Sequence, residues 1–149
     1  MVYGIIAALV FIADRLTKYF IMHNVSVGDT FGSFLGIFDF TYVQNQGAAW
    51  SMLSGKTQLL SLVSFAFCAA VMVIWIIKKP KNRMLSLALT LMFSGALGNA
   101  VDRAMYGYVV DFIETTFVDF PIFNIADMGI TIGAVILVIY ILFFDKDKG

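Results

Sequence analysis

The 149-residue chain is 60% hydrophobic and 13% charged, with a mean hydropathy of +0.89, where an ordinary soluble domain has about a quarter of its residues charged. Ten basic residues balance ten acidic ones, which excludes the clustered positive field that nucleic acid binding requires. The single cysteine, Cys68, excludes an internal disulfide and a multi-cysteine metal site, and is read as a small packing residue. One histidine, His23, offers no ligand cluster and is read as interfacial, so no metal and no cofactor is expected. The composition points to a single membrane domain over residues 1–149.

The first predicted element is an apolar helix over about residues 2–22. It lacks a basic start and runs into Asp14, Arg15 and Lys18 instead of a small-residue cleavage site, so a retained helix is expected, not a signal peptide. It spans a bilayer only if those charges face protein or water.

The next connection, residues 26–56, contains Ile37-Phe38-Asp39-Phe40-Thr41-Tyr42-Val43, bounded by glycine and by Asn45-Gln46-Gly47. Its β-branched and aromatic residues predict a strand with Phe38, Phe40 and Tyr42 on one face. Trp50 and the tyrosines suit an interfacial aromatic belt.

Helices follow over 57–77 and 84–103, separated by Lys78-Lys79-Pro80-Lys81-Asn82-Arg83. Pro80 stops the preceding helix, and the four basic residues predict a cytoplasmic loop. Both termini then fall on the cytoplasmic side, in agreement with the basic residues of the tail Asp145-Lys146-Asp147-Lys148. The connection over 106–123 faces outward, and its Val109-Val110-Asp111-Phe112 and Phe117-Val118-Asp119-Phe120-Pro121 runs suit short strands or an interfacial helix. A last helix covers about 125–144. The expected fold is an all-α bundle of four transmembrane helices. A small extracytoplasmic β-rich platform lies between helices one and two, with contributions from the connection between helices three and four.

Polar groups in apolar helices carry the most information, because a charge at the bilayer centre costs about 2.5–3.5 kcal/mol on insertion scales. Asp14 and Lys18 are four residues apart and can neutralise each other as a structural ion pair. Ser94, Gly95 and Gly98 offer a small surface for close helix approach. Asn99, Asp102 and Arg103 make the outer end of that helix polar, which suits an ion pair or helix-end anchor as well as a catalytic site. Asp111 and Asp127 are the candidate reacting acids, since the connection between them must return to the same membrane level. Two close carboxylates share one proton, which provides an acid and a base around a water. The structural alternatives are an exposed loop charge for Asp111 and, for Asp127, a capping role with Asn124 three residues earlier. No serine motif pairs with a suitably placed histidine, which argues against a serine triad.

Five motifs in order resemble those of the lipoprotein signal peptidases, or type II signal peptidases, over essentially the whole chain. Asp14-Arg15-Leu16-Thr17-Lys18 resembles the family's Asp-x-x-Thr-Lys motif. Asn45-Gln46-Gly47-Ala48-Ala49-Trp50 resembles its Asn-x-Gly-Ala loop, and Gly98-Asn99-Ala100-Val101-Asp102-Arg103 its Gly-Asn-x-x-Asp-Arg helix end. Val109-Val110-Asp111-Phe112 and Phe123-Asn124-Ile125-Ala126-Asp127 resemble its two aspartate motifs. Ser94 replaces a common glycine and Arg15 a frequent glutamine, which leaves the acids in place.

The resemblance implies an aspartic endopeptidase of bacterial cytoplasmic membranes, a monomer among membrane lipids with its active site on the extracytoplasmic side. Its substrate would be a prolipoprotein, cut immediately before the diacylglyceryl-modified cysteine of the lipobox. By motif, Asp111 and Asp127 would be catalytic. Asp14, Lys18, Asn45, Gly47, Asn99, Asp102, Arg103, Asn124 and Ala126 would bind substrate or support the site. The competing readings are a small proton- or ion-coupled transporter using the buried acids as a relay, and a structural membrane subunit.

Overall fold

The computed structural model describes residues 1–48 and 52–144; Ala49, Trp50, Ser51 and the charged tail 145–149 lie outside them. In chain order the elements are α1 (Val2–Asn24), β1 (Thr30–Phe34), β2 (Phe38–Asn45), α2 (Thr57–Ile77), α3 (Arg83–Tyr106), β3 (Val109–Thr115) and α4 (Ile125–Phe143). Three of the four helices, α2, α3 and α4, are long and apolar enough to cross a membrane. Helix α1 matches them in length, but Asp14, Arg15 and Lys18 interrupt its apolar run.

Helix α3 is the centre of the bundle and packs against α1, α2 and α4. Its buried face is built from small residues, Ser86, Ala88, Ser94, Gly95, Ala96, Gly98 and Ala100 among them. Small side chains let helix backbones approach closely, which is where membrane helices find packing energy. A Cβ on Gly95 would collide with the Ala126 carbonyl oxygen of α4, and one on Gly133 would lie 2.8 Å from the Ala88 carbonyl oxygen. The small surface predicted around Ser94, Gly95 and Gly98 is therefore a packing face, and Gly129 and Gly133 of α4 extend it from the opposite side. Their i, i+4 spacing was a readable signal of that contact.

Local chemistry sets the helix ends. Asn82 caps α3 by accepting from Met84 N at 2.9 Å and Leu85 N at 3.2 Å, so the helix begins at Arg83, inside the predicted basic loop. Gly107 ends it at φ 76°, a left-handed conformation that an L side chain adopts only with strain. Asn124 and Asp127 form a reciprocal capping box at the start of α4.

The platform is a three-stranded antiparallel sheet in the order β1-β2-β3. Sequence reading located β2 but missed β1, to which β2 is joined by a tight turn with Leu35 at φ 54° and Gly36 at φ 67°. Strand β3 confirms the run beginning at Val109, whereas 117–121 forms neither strand nor helix. Instead the chain folds back so that Phe123 bridges Ile113, with Ile113 N donating to Phe123 O at 2.8 Å. A register shift between Phe40 and Val43 interrupts β2, yet Phe40 and Tyr42 still reach the same cluster beneath the sheet. That cluster, Ile21, Tyr42, Val110 and Phe112, anchors the platform to the end of α1.

Candidate active site

Pairing across the sheet decides the position of Asp111. Val43 opposes it in the β2–β3 register, and the residue is buried between Val110 and Phe112. This overturns the reading of Asp111 as an exposed loop charge. Its carboxylate accepts from Asn45 Nδ2 at 2.9 Å through Oδ2 and from Asn124 Nδ2 at 2.6 Å through Oδ1. Burial, and next the nearby charge of Asp127, raise its pKa from 3.8 to about 7 despite those two hydrogen bonds.

Asp127 occupies the third position of α4. The capping role foreseen for it is real: Asp127 N donates to Asn124 Oδ1 at 2.9 Å, and Asn124 N donates to Asp127 Oδ2 at 3.2 Å. Its other oxygen, Oδ1, accepts from Asn99 Nδ2 at 2.7 Å. Capping and participation in the acidic cluster are therefore one arrangement, because the cap holds the carboxylate beside Asn99 and Asn124, the latter also bonded to Asp111 of β3.

Asn99 connects this cluster to α1 by accepting from Lys18 Nζ at 3.0 Å. Lys18 is fully buried and lies 3.0 Å from Asp14 Oδ2 and 2.7 Å from Asp102 Oδ2. The predicted Asp14–Lys18 pair is thus part of a wider network. Asp14 Oδ1 also accepts from Ala126 N at 3.0 Å, which places Ala126 between the ion pair and Asp127. Gly98 admits this approach, since a Cβ there would lie 2.7 Å from Asp14 Oδ2.

Asp102 and Arg103 part company. Asp102 points into the bundle, where Arg15 Nη2 reaches its Oδ1 at 2.5 Å. Arg103 turns toward the loop after β2 and donates from Nη2 to Gly47 O at 2.9 Å. Gly47 N in turn donates to Asn45 Oδ1 at 2.9 Å, so Arg103, Gly47 and Asn45 brace the turn beside Asp111. Sequence reading noticed Arg15 as a charge but missed its partner, which lies 87 residues away.

The two candidate acids and the nine residues expected to support them thus join one connected cluster, whereas Cys68 and His23 bond elsewhere, to Phe93 O and Tyr19 O. A cavity of about 500 Å³ borders it, lined on its polar side by Asn45, Asn99, Arg103, Asp111 and Asp127. Met128 and Ile132 of α4 line the same cavity and remain exposed on the outside of the bundle.

The model of the family described as signal peptidase (SPase) II matches residues 6–143. The chain belongs to the signal peptidase II family. It is 40% identical over 144 residues to the lipoprotein signal peptidase of Lactobacillus johnsonii, covering 97% of this chain and 94% of the relative. The lipoprotein signal peptidase of Clostridium acetobutylicum is 37% identical over 147 residues, covering 97% and 96% of the two chains. A solved bacterial membrane enzyme superposes with a TM-score of 0.92 at 38% identity, covering 99% of this chain and 92% of the other. A second gives 0.86 at 39% identity, covering 96% and 94%. Membership of this family makes the chain a membrane peptidase and leaves the transporter reading without support.

Proposed function

We propose that this signal peptidase II family member removes the signal peptide of diacylglyceryl-modified prolipoproteins by aspartyl catalysis, with Asp111 and Asp127 as the dyad. The observation that carries the reading is the placement of both carboxylates on one cavity, bridged by Asn124 and with the pKa of Asp111 raised to about 7. A carboxyl that keeps its proton near neutrality beside an ionised one supplies acid and base together.

The ionised carboxylate takes a proton from water as its oxygen bonds to the scissile carbonyl carbon. The protonated carboxyl donates to the substrate as the C–N bond breaks. The products are the carboxylate of the signal peptide and the free amine of the lipidated cysteine. Asn45, Asn99 and Asn124 orient the two acids, while Arg103 and Gly47 hold the turn that carries Asn45. Asp14, Lys18, Asp102 and Ala126 support them from α1, α3 and α4.

In this reading α1 is the fourth span and the protein acts as a monomer among lipids of a bacterial cytoplasmic membrane. Ile5, Leu9, Ile12, Leu16 and Tyr19 form an exposed stripe at helical spacing, whereas Asp14 and Lys18 are buried against the bundle. The basic loop between α2 and α3 lies at the opposite end of α3 from the acidic cluster, so the positive-inside rule puts the termini in the cytoplasm and the site outside. The exposed cavity wall at Met128 and Ile132 suits sideways entry of a signal helix from the bilayer.

Purified protein tested for release of signal peptide from a diacylglyceryl-modified precursor decides the reading. Release is expected with the lipidated precursor, and its absence together with folded protein contradicts the proposal.

A further inference from the structure

Arg15 is a half-buried cation at the side of the bundle that makes none of the capping and orienting contacts of the two candidate acids. Its guanidinium reaches Asp102 Oδ1 at 2.5 Å with only 20% of the side chain exposed. The other oxygen of Asp102 lies 2.7 Å from Lys18 Nζ and accepts from Val110 N at 3.4 Å. Lys18 is at the same time 3.0 Å from Asp14 Oδ2 and donates to Asn99, which holds Asp127. Without Arg15, Lys18 alone would face both Asp14 and Asp102.

The ionisable groups around this point come from the elements packed about the outer half of α1. Helix α1 supplies Asp14, Arg15 and Lys18, α3 supplies Asp102 and Arg103, β3 supplies Asp111 and α4 supplies Asp127. Tyr108 approaches Asp102 from the connection after α3, and Tyr42 of β2 adjoins Tyr108. Four carboxylates therefore stand against three cations. Full ionisation leaves one negative charge unbalanced, and a single proton on the dyad leaves none. Because an unbalanced charge in a desolvated interior is costly, the one-proton form is favoured over both neighbouring forms.

We propose that Arg15 is a positioning residue for the reaction, whose pairing with Asp102 brings the buried cluster to the charge at which the dyad retains one proton and so sets the pH range of turnover. The inference rests on the aspartyl reading above and adds the group that balances its charge. A pKa of about 7 for Asp111 agrees with a dyad that exchanges its proton near neutrality. Removing the positive charge of Arg15 favours protonated carboxylates and moves both limbs of the rate profile to higher pH. Removing the negative charge of Asp102 moves them the other way. A directly adjacent opposite charge shifts a carboxylate by about 1–3 units, so an effect relayed from Arg15 is expected to be about half a unit to one unit.

The test measures initial rates with a diacylglyceryl-modified precursor over a pH series spanning both limbs, using the full chain in detergent. R15Q is expected to shift the limbs upward, D102N to shift them downward, R15K to leave them in place and the R15Q/D102N double variant to restore them. Rates are divided by the folded fraction measured at each pH, so a loss of packing alone lowers the uncorrected rates without moving the corrected limbs. Unmoved limbs in R15Q, or a double variant displaced as far as R15Q, overturn the role of Arg15. Parallel assays of D111N and D127N separate the two failures: if both are inactive and R15Q is unmoved, only the role of Arg15 falls. Turnover by either of those variants overturns the dyad and this inference with it.

Discussion

Asn124 donates its side-chain amide to Asp111 Oδ1 at 2.6 Å and accepts the Asp127 backbone N–H through its own Oδ1 at 2.9 Å. One side chain thus fixes the start of α4 and the orientation of a strand carboxylate. Substitutions can separate the two roles. Asn124→Ala removes both and is expected to cost about 0.5–2 kcal/mol from the lost cap. Asn124→Ser keeps a capping oxygen but loses the amide donor, so its thermal stability in detergent should exceed that of Asn124→Ala while its turnover also falls. Wild-type turnover by Asn124→Ser would show that the bond to Asp111 is dispensable.

The approach of α3 to α4 leaves no room for a side chain at Gly95. Gly95→Ala must push a methyl against the Ala126 backbone and Ile130, a type of overpacking that typically costs about 1–3 kcal/mol. Because Ala126 N is also the donor to Asp14, displacement of α4 should reduce turnover along with stability. Gly4→Ala is the control, since a Cβ there meets nothing within 4 Å and alanine is the better helix former. Equal thermal unfolding temperatures for the two variants would contradict the packing account.

The raised pKa of Asp111 has a consequence for stability. Its folded value of about 7 lies above the ordinary 3.8, so between those two values the folded protein holds a proton that the unfolded chain has released. Stability contributed by this group is therefore full at low pH and falls as pH rises through that window. The total is on the order of 4 kcal/mol at most. Asp111→Asn removes the dependence, so thermal unfolding should change in the variant's favour as pH rises from about 4 to about 7. Parallel stability curves for the two proteins would show that Asp111 titrates in the folded state as it does in the unfolded chain.

Orientation in the membrane is tested by labelling. Leu35, at 78% exposure on the platform turn, and Lys81, in the basic loop, are placed on opposite sides. In intact cells an impermeant thiol reagent is expected to label Leu35→Cys and to spare Lys81→Cys, and the buried native Cys68 should not compete. The reverse pattern would invert the topology.

Much of this arrangement was readable from local signals. The runs that became α2, α3 and α4 are long and apolar, and the cap at Asn124 is visible from Asp127 three residues later. Other features depend on partners far along the chain. Asp111 is flanked by Val110 and Phe112 whether it is buried or exposed, and the pairing of β3 with β2 is what turns it toward Asn45. Arg15 gave no local hint of Asp102, since the spacing from Asp14 to Lys18 already offered a complete ion pair. Strand β1 escaped notice because it is five residues long and contains Gly32, and 117–121 misled because its aromatic residues serve the return of the chain to Phe123.

In the proposed reaction Asp111 and Asp127 act as one catalytic unit, which Asp111→Asn and Asp127→Asn each break. An asparagine keeps the shape and part of the hydrogen bonding but can neither take a proton from water nor give one to the leaving amine. One positioned acid or base contributes about 10²–10⁴-fold, and groups acting together lose activity non-additively, so each single variant should approach the inactivity of the double variant. The measurement is release of signal peptide from a diacylglyceryl-modified precursor, with binding of that precursor followed in parallel. Loss of cleavage with binding retained in both single variants is the predicted result; near-wild-type release by either one would contradict the dyad.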